Sequence, residues 1–290
     1  MGRICAVTGA SGYVGSCVVS RLTDAGWEVR ALGRSRPNEK QQSVTNAHFE
    51  LGQPPAPEAL ADADALLHLA YDFTPQGWAE IERVNVTGSR LLLEAAREAG
   101  IDRIVYMSSV AAHPGARAMY GRAKLACERD ALAAGAAILR PGSVWGPRGA
   151  ATPSALERAV ESLPVVPLPV PGDIRLFLTH EDDLSSLVQG VLEQWPAGSG
   201  KLYVATSARW LEFAQYLRLL AQNAGASPRF VELPWRFVRL GLKALEGIGL
   251  DPPFRSDGIL SLVSGDEQPL SRATDDVDRY GVSFRPFAPA

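Results

Sequence analysis

Apolar runs of strand length alternate with stretches of helical period through the first half of the chain. "RICAVTG" (3–9), "EVRALGR" (28–34), "ADALLHLAY" (63–71), "RIVYMSS" (103–109) and "AAILRPGSV" (136–144) are short and apolar, as buried strands are. Between them, residues 15–25, "AEIERVNVTGSRLLLEAAREAG" (79–100) and "YGRAKLACERDALAAG" (120–135) repeat their apolar positions every three or four residues. Gly100 stands where the second of these helices stops. Strand and helix in alternation predict an α/β fold with a doubly wound parallel sheet, whose ligands lie beyond the carboxyl ends of its strands.

The pattern changes after about residue 150. "LPVVPLPVPG" (163–172) holds too many prolines for a regular helix or a central strand, and reads as a linker or the cover of a pocket. "FLTHEDDLSSLVQGVLEQ" (177–194) and "GKLYVATS" (200–207) predict one more helix and strand returning to the sheet. The remainder is mostly helical, with "LPWRFVRLGLKALEGIG" (233–249) amphipathic. A smaller lobe closing over the first is expected.

Composition narrows the partners. Net charge is −3 at pH 7, with 46% hydrophobic and 21% charged residues, so no basic field invites nucleic acid or an anionic membrane. Cys5, Cys17 and Cys127 are odd in number and lack metal-ligand spacing, which suits a reducing, cytoplasmic setting. No run of eighteen apolar residues appears.

Chemistry gathers at predicted strand ends. In "TGASGYVG" (8–15), Gly9, Gly12 and Gly15 follow a strand and open a helix, an arrangement that presents free backbone N–H groups to a phosphate. Tyr120 and Lys124 are four residues apart on one helical face, where an ammonium can favour the phenolate and lower the phenol's pKa. The same pair is common on exposed helices, so context decides. Ser109, at the end of "IVYMSS", supplies a hydroxyl able to bind the oxygen that the tyrosine protonates. His68, inside an apolar strand end, reads as a packed, hydrogen-bonded residue. His180, Glu181, Asp182 and Asp183 read as a helix start with carboxylates at its positive end, and no metal is expected. Arg148 and Arg175 are candidates to grip an anionic substrate or to lie on the surface.

These segments in this order resemble the extended short-chain dehydrogenase/reductases, also called the NAD-dependent epimerase/dehydratase family. The resemblance rests on "TGASGYVG", "HLA" (68–70), "VNVTGS", Ser108 and Ser109, "YGRAK", "RPGSVWGPR" and "HEDDL", with "LSRATDDVDRYGVSFRP" near the end. It implies a Rossmann-like dinucleotide-binding domain over 1–160, to which 176–208 returns, and a mainly substrate-binding, mostly helical lobe over 161–290. It implies Tyr120 as the acid/base, Lys124 lowering its pKa and holding the nicotinamide ribose, Ser109 polarising the substrate oxygen, and Asn85 near the reaction centre. Thr8, Gly9, Gly12, Tyr13, Val14 and Gly15 would surround the pyrophosphate, with Leu69, Ala70, Pro141, Gly142 and Val144 along the rest of the cofactor. Departures concern the substrate: "VAAHPGARAM" (110–119) is short and lacks a "VYG", and Tyr71 replaces a small residue after "HLA".

The second strand bears on cofactor choice. It ends in Gly33 and Arg34, with Arg36 nearby and no carboxylate at its tip, which favours NADP(H) over NAD(H). The expected activity is hydride transfer at a secondary alcohol or ketone carbon by a ketoreductase or dehydrogenase. The alternatives are a nucleotide-sugar epimerase or dehydratase of the same family, and a non-catalytic NADP-binding regulator. The expected partner is a small carbonyl, alcohol or nucleotide-sugar substrate, with no nucleic acid, no membrane, and a homodimer left open. Residues 145–175 and 225–265 are expected to wall and lid an apolar pocket over the nicotinamide. The 233–249 helix is read as part of that lid in preference to a membrane-surface helix.

Overall fold

A computed structural model describes residues 2–34, 43–151, 155–170, 174–250, 252 and 254–288. Arg36 lies outside the described residues.

Seven strands form one parallel sheet: β1 (Arg3–Thr8), β2 (Trp27–Gly33), β3 (Val44–His48), β4 (Ala65–His68), β5 (Arg103–Met107), β6 (Ala137–Pro141) and, later in the chain, β11 (Leu202–Ala205). Their order is β11-β6-β5-β4-β1-β2-β3, which is Rossmann-like and reverses direction beside β1. The central strands β4, β5 and β6 and most of β1 are buried on both faces, so they read as largely apolar runs, whereas β2 carries an exposed Glu28. β3 was not expected: "VTNAH" is polar and only partly buried at the sheet edge, so no apolar run announces it.

Helices α1 (Tyr13–Asp24), α2 (Pro57–Leu60), α3 (Trp78–Ile81), α4 (Gly88–Glu98) and α5 (Met119–Ala133) link these strands. Between α3 and α4, Glu82–Thr87 is a π-helical turn, so the single helix expected over 79–100 has a widened turn at Asn85. One apolar cluster joins α1 and α7 (Glu181–Glu193) to one sheet face through Val18, Leu22, Leu187 and Val188. A second joins α4 and α5 to the opposite face through Leu92, Leu93, Cys127 and Ala131.

Residues after β6 build small sheets outside the main one. β7 (Ser143–Trp145) pairs in parallel with β10 (Leu178–His180), and β9 (Arg175–Leu176) pairs with β12 (Leu211–Glu212). β8 (Val165–Val170) pairs in parallel with β13 (Arg229–Pro234). Residues 165–170 of the proline-rich stretch are therefore a strand, in a two-stranded sheet where its prolines need not donate on the open side. A third apolar cluster packs α6 (Ala155–Ser162) and α8 (Phe213–Asn223) against these strands. α9 (Trp235–Gly247) and α10 (Ser256–Val263) pack on each other, and α10 reaches α5.

The carboxylates at the start of α7 have structural partners. His180 caps the helix by accepting from Asp182 N–H at 3.2 Å, while Glu181 takes the Tyr13 hydroxyl at 2.5 Å. Asp183 is held by the Arg285 guanidinium at 2.6 Å, fastening the chain's end.

Candidate active site

The strands end at one side of the sheet, and their exits enclose a cleft of roughly 520 Å³ at the reversal beside β1. Gly9 turns the chain there with φ of 70° and its Cα against the Ala70 backbone, where a Cβ would stand 3.0 Å from the amide nitrogen. A Cβ on Gly15 would collide with the Gly9 carbonyl oxygen, so the turn closes only on glycine at both positions. α1 then begins at Gly12 with no side-chain cap and no carboxylate in its first turn. Its first N–H groups and the positive helix end face the cleft uncompensated, a cradle that fits the pyrophosphate of a dinucleotide.

The walls beneath this cradle are fixed by saturated polar groups. The Thr8 hydroxyl accepts from Leu69 N–H and Ala70 N–H, each at 3.1 Å, and so donates to His68 Nδ1 at 2.7 Å. His68 Nε2–H in turn donates to Ser89 Oγ at 2.8 Å, whose own proton goes to the Asn85 carbonyl at 2.6 Å. The imidazole is neutral: burial, with Lys124 nearby, pulls its pKa down to about 3. Thr8 is thus consumed by this chain of bonds inside the protein and does not line the cleft.

Asn85 is buried too, and its amide clamps one residue of the loop after β4. Oδ1 accepts from Asp72 N–H at 2.7 Å, and Nδ2 donates to the Asp72 carbonyl at 3.0 Å. It holds in place the loop bearing Tyr71 and Phe73, and does not itself enter the cleft.

Ser109, Tyr120 and Lys124 do meet at the cleft. Tyr120 enters from the first turn of α5, whose N–H groups at Met119 and Tyr120 bind the Asp257 carboxylate of α10 at 3.0 and 3.3 Å. Burial pushes its phenol up to about 12, while the hydrogen bond with the Ser109 hydroxyl works the other way. Lys124, one turn later, is buried, and burial lowers its ammonium to about 8. Its Nζ donates to the Met107 carbonyl at 2.8 Å and lies 5.3 Å from the centre of the Tyr71 ring. Burial is the largest influence on the Tyr120 phenol, and one Lys124 donor is taken by the β5 carbonyl.

Gly9, Gly12, Tyr13, Val14, Gly15, Arg34, Leu69, Ala70, Pro141, Gly142 and Val144 all line the cleft as well. Residues that sequence reasoning missed line it beside them: Phe49, Glu50 and Leu51 follow the unexpected β3, and Asp72 and Phe73 follow Tyr71. Phe73 stacks on Tyr120 with centroids 5.6 Å apart, and Tyr71 meets it edge-on at 5.0 Å. A second missed group lies behind the site. Arg140 of β6 clasps Glu128 of α5 through Nε at 2.7 Å and Nη2 at 2.6 Å, and the Ser108 hydroxyl joins Glu128 at 2.5 Å. No sequence signal marked it, because a helix end and a turn separate the two residues.

Among the described residues, those of the segments expected to wall the cleft do not line it, and the lining runs no further along the chain than Val144. They touch residues around it: Asp257 of α10 binds the N–H groups of Met119 and Tyr120, and Gly149 stands against the Tyr13 ring. Arg148 points to the Cys17 carbonyl at 3.4 Å, and Arg175 stacks 4.8 Å from the Trp210 ring, so both guanidinium groups have partners within the protein.

Comparison with known proteins agrees with this geometry. Residues 5–203 match the family described as "NAD dependent epimerase/dehydratase family". A ceramide reductase of Caulobacter vibrioides is 30% identical over 80% of this chain and 74% of its own. The 4-hydroxy-2-methyl-3-oxo-4-farnesyl-3,4-dihydroquinoline-1-oxide ketoreductase of Stigmatella aurantiaca is 28% identical over 80% of this chain and 77% of its own. Among solved structures, that of gox2253 superposes with a TM-score of 0.72 at 25% identity, over 98% of this chain and 94% of the other.

Proposed function

Since this chain belongs to the NAD-dependent epimerase/dehydratase family, we propose that it is a ketoreductase that reduces the carbonyl of an apolar, long-chain substrate with NADPH. The observation that carries this reading is the placement of Tyr120: half-buried at the cleft, bonded to Ser109, with Lys124 one helical turn later. At neutral pH the phenol holds its proton, and in this position it can give it to a substrate oxygen, the role that reduction demands.

A nicotinamide dinucleotide, when bound, supplies the hydride. Tyr120 donates its proton to the carbonyl oxygen, and the Ser109 hydroxyl holds that oxygen by a hydrogen bond. Lys124 has an ammonium within the same cleft to meet the cofactor ribose. Asn85 acts as a positioning residue, through the Asp72 backbone and the aromatic loop beside Tyr120.

Three observations support an apolar substrate. Tyr71 and Phe73 make an aromatic wall at Tyr120. Arg148 and Arg175 are engaged elsewhere, whereas a sugar diphosphate would want convergent guanidinium groups. Both relatives are named for ketone or lipid reduction, one on a ceramide and one on a farnesylated ring. The NADPH preference rests on Arg34, which lines the cleft at the end of β2.

The test follows NADPH absorbance across short, aromatic and long-chain ketones, with nucleotide sugars examined for silent epimerisation. Turnover is expected on long-chain ketones, and Tyr120→Phe is expected to cut it by ~10²–10⁴ while leaving cofactor affinity nearly intact. Conversion of a nucleotide sugar without net redox would overturn the reading. Calorimetry is expected to show NADPH bound more tightly than NADH, with Gly33→Asp and Arg34→Ser together reversing the order. Equal affinities would remove Arg34 from the account.

A further inference from the structure

We propose that the outer face of α9 docks on the surface of an anionic phospholipid bilayer. The helix has two apolar faces and only one of them is packed. Trp235, Val238, Arg239, Leu242 and Glu246 turn inward towards α10, β8 and β13. Glu246 is fixed there, accepting from Ser256 N–H and Oγ–H, each at 2.8 Å.

Opposite them stand Phe237, Leu240 and Ile248, which are 66%, 64% and 74% exposed. At about 100° per residue these three fall with Ala244 in one sector of roughly 80°, directly away from Val238 and Leu242. Exposed Leu245 and Leu250 extend the patch at its carboxyl end. The stripe from Phe237 to Ile248 runs about 16 Å along the helix axis. Large apolar side chains aligned in this way mark an interaction surface.

Charge selects the occupant. The outward charges on α9 are Arg236 and Lys243, both exposed and on one flank of the stripe, while its carboxylate, Glu246, faces in. A cationic edge on this helix contrasts with the net charge of −3 for the whole chain. An apolar stripe flanked by cations is complementary to a bilayer interface with anionic headgroups. No helix among the described residues is long and apolar enough to cross a membrane, so the contact is one of lying on the surface. α10, on which α9 packs, holds the first turn of α5 through Asp257, and docking therefore brings the Tyr120 helix near the lipid. That placement suits a lipid-dissolved ketone, although the docking does not rest on the reductase reading.

Co-sedimentation of the full chain with vesicles tests this directly. Pelleting is expected with phosphatidylcholine mixed with phosphatidylglycerol, and weaker pelleting with phosphatidylcholine alone. Phe237→Ser with Ile248→Ser is expected to lower vesicle affinity at least ~10-fold, since each removes a large apolar side chain that docking would bury in the bilayer. Arg236→Glu with Lys243→Glu is expected to erase the preference for phosphatidylglycerol, and circular dichroism melting should show each variant folded. A parent chain that stays in solution with both vesicles would overturn docking, as would variants that pellet like the parent. So would sedimentation equilibrium showing that the serine variant splits a dimer, which would make the stripe a contact between copies. Vesicle binding is read without turnover, so either proposal can fail alone.

Discussion

The cleft side of the sheet and the helix α9 treat the same residue types in opposite ways. Around the cleft, polar and charged groups are buried and satisfied: Thr8, His68, Ser89 and Asn85 form one continuous chain of bonds, and Ser108, Glu128 and Arg140 form another. On α9 the apolar residues Phe237, Leu240 and Ile248 face outward. A buried polar group is costly unless paired, so the first region is rigid only while every partner is present. An exposed apolar group does little for the fold, so the second region is free to serve a partner. The two regions should answer substitution very differently.

The sharpest break is expected at the Glu128–Arg140 pair. Arg140→Met leaves a buried carboxylate with only Ser108 to meet it, and should destabilise the protein by about 3–5 kcal/mol. Replacing both residues by methionine removes the uncompensated charge and should recover much of that loss. Urea unfolding of the two variants checks this, and a double variant no more stable than the single one would show that the pair is needed for packing itself.

How much of this contrast was legible beforehand depends on what each pattern encodes. Strands β4, β5 and β6 and most of β1 are largely apolar because both sheet faces bury them, with the glycines and Ser109 following strand ends and Tyr120 and Lys124 one turn apart on α5, all in readable order. β3 is a half-exposed edge strand of polar residues, so neither it nor the cleft residues Phe49, Glu50 and Leu51 announced themselves. Glu128 and Arg140 are separated by a helix end and a turn, and only the folded distance reveals them as partners. The α9 period predicted an amphipathic helix, but two apolar sectors at one period do not say which is packed. The amide of Asn85 and the hydroxyl of Thr8 were placed at the reaction centre and the cofactor by resemblance, whereas their bonds run to the protein's own backbone and His68.

Lys124 sharpens the comparison through pH. Its folded pKa, about 8, lies below the usual 10.5, so the unfolded chain holds the proton more tightly. The penalty of burying the ammonium is fully present below pH 8 and is relieved as pH rises towards 10.5. Relative to Lys124→Met, the parent should gain about 2 kcal/mol between pH 8 and pH 10. Parallel stability curves for the two proteins would show that the ammonium is hydrated in solution.

His68 gives the acid side. Its folded pKa of about 3 lies below the usual 6.5, so the unfolded chain takes up a proton first and stability is lost as pH falls from 6.5 towards 3. The slope should approach about 1.4 kcal/mol per pH unit in the middle of that window. His68→Asn should flatten this part of the profile, whatever it costs at neutral pH, and an unchanged slope would assign acid sensitivity to other groups.

The smallest effect is expected where the most apolar surface is exposed. Phe237→Ser or Leu240→Ser removes a side chain that is about two-thirds exposed, on the face of α9 turned away from α10, β8 and β13. Burial is what makes a large apolar residue stabilising, and little of these two is buried. Serine is a slightly poorer helix former than leucine, which sets the remaining cost at a few tenths of a kcal/mol. Each change should therefore stay within about 0.5 kcal/mol of the parent in urea unfolding, as surface substitutions usually do. Val238→Ser, one residue along and on the packed face, should cost several times more, because it places a hydroxyl in an apolar contact. Equal losses at Phe237 and Val238 would mean that the outer stripe is covered in the folded protein, and the contrast between the two regions would disappear.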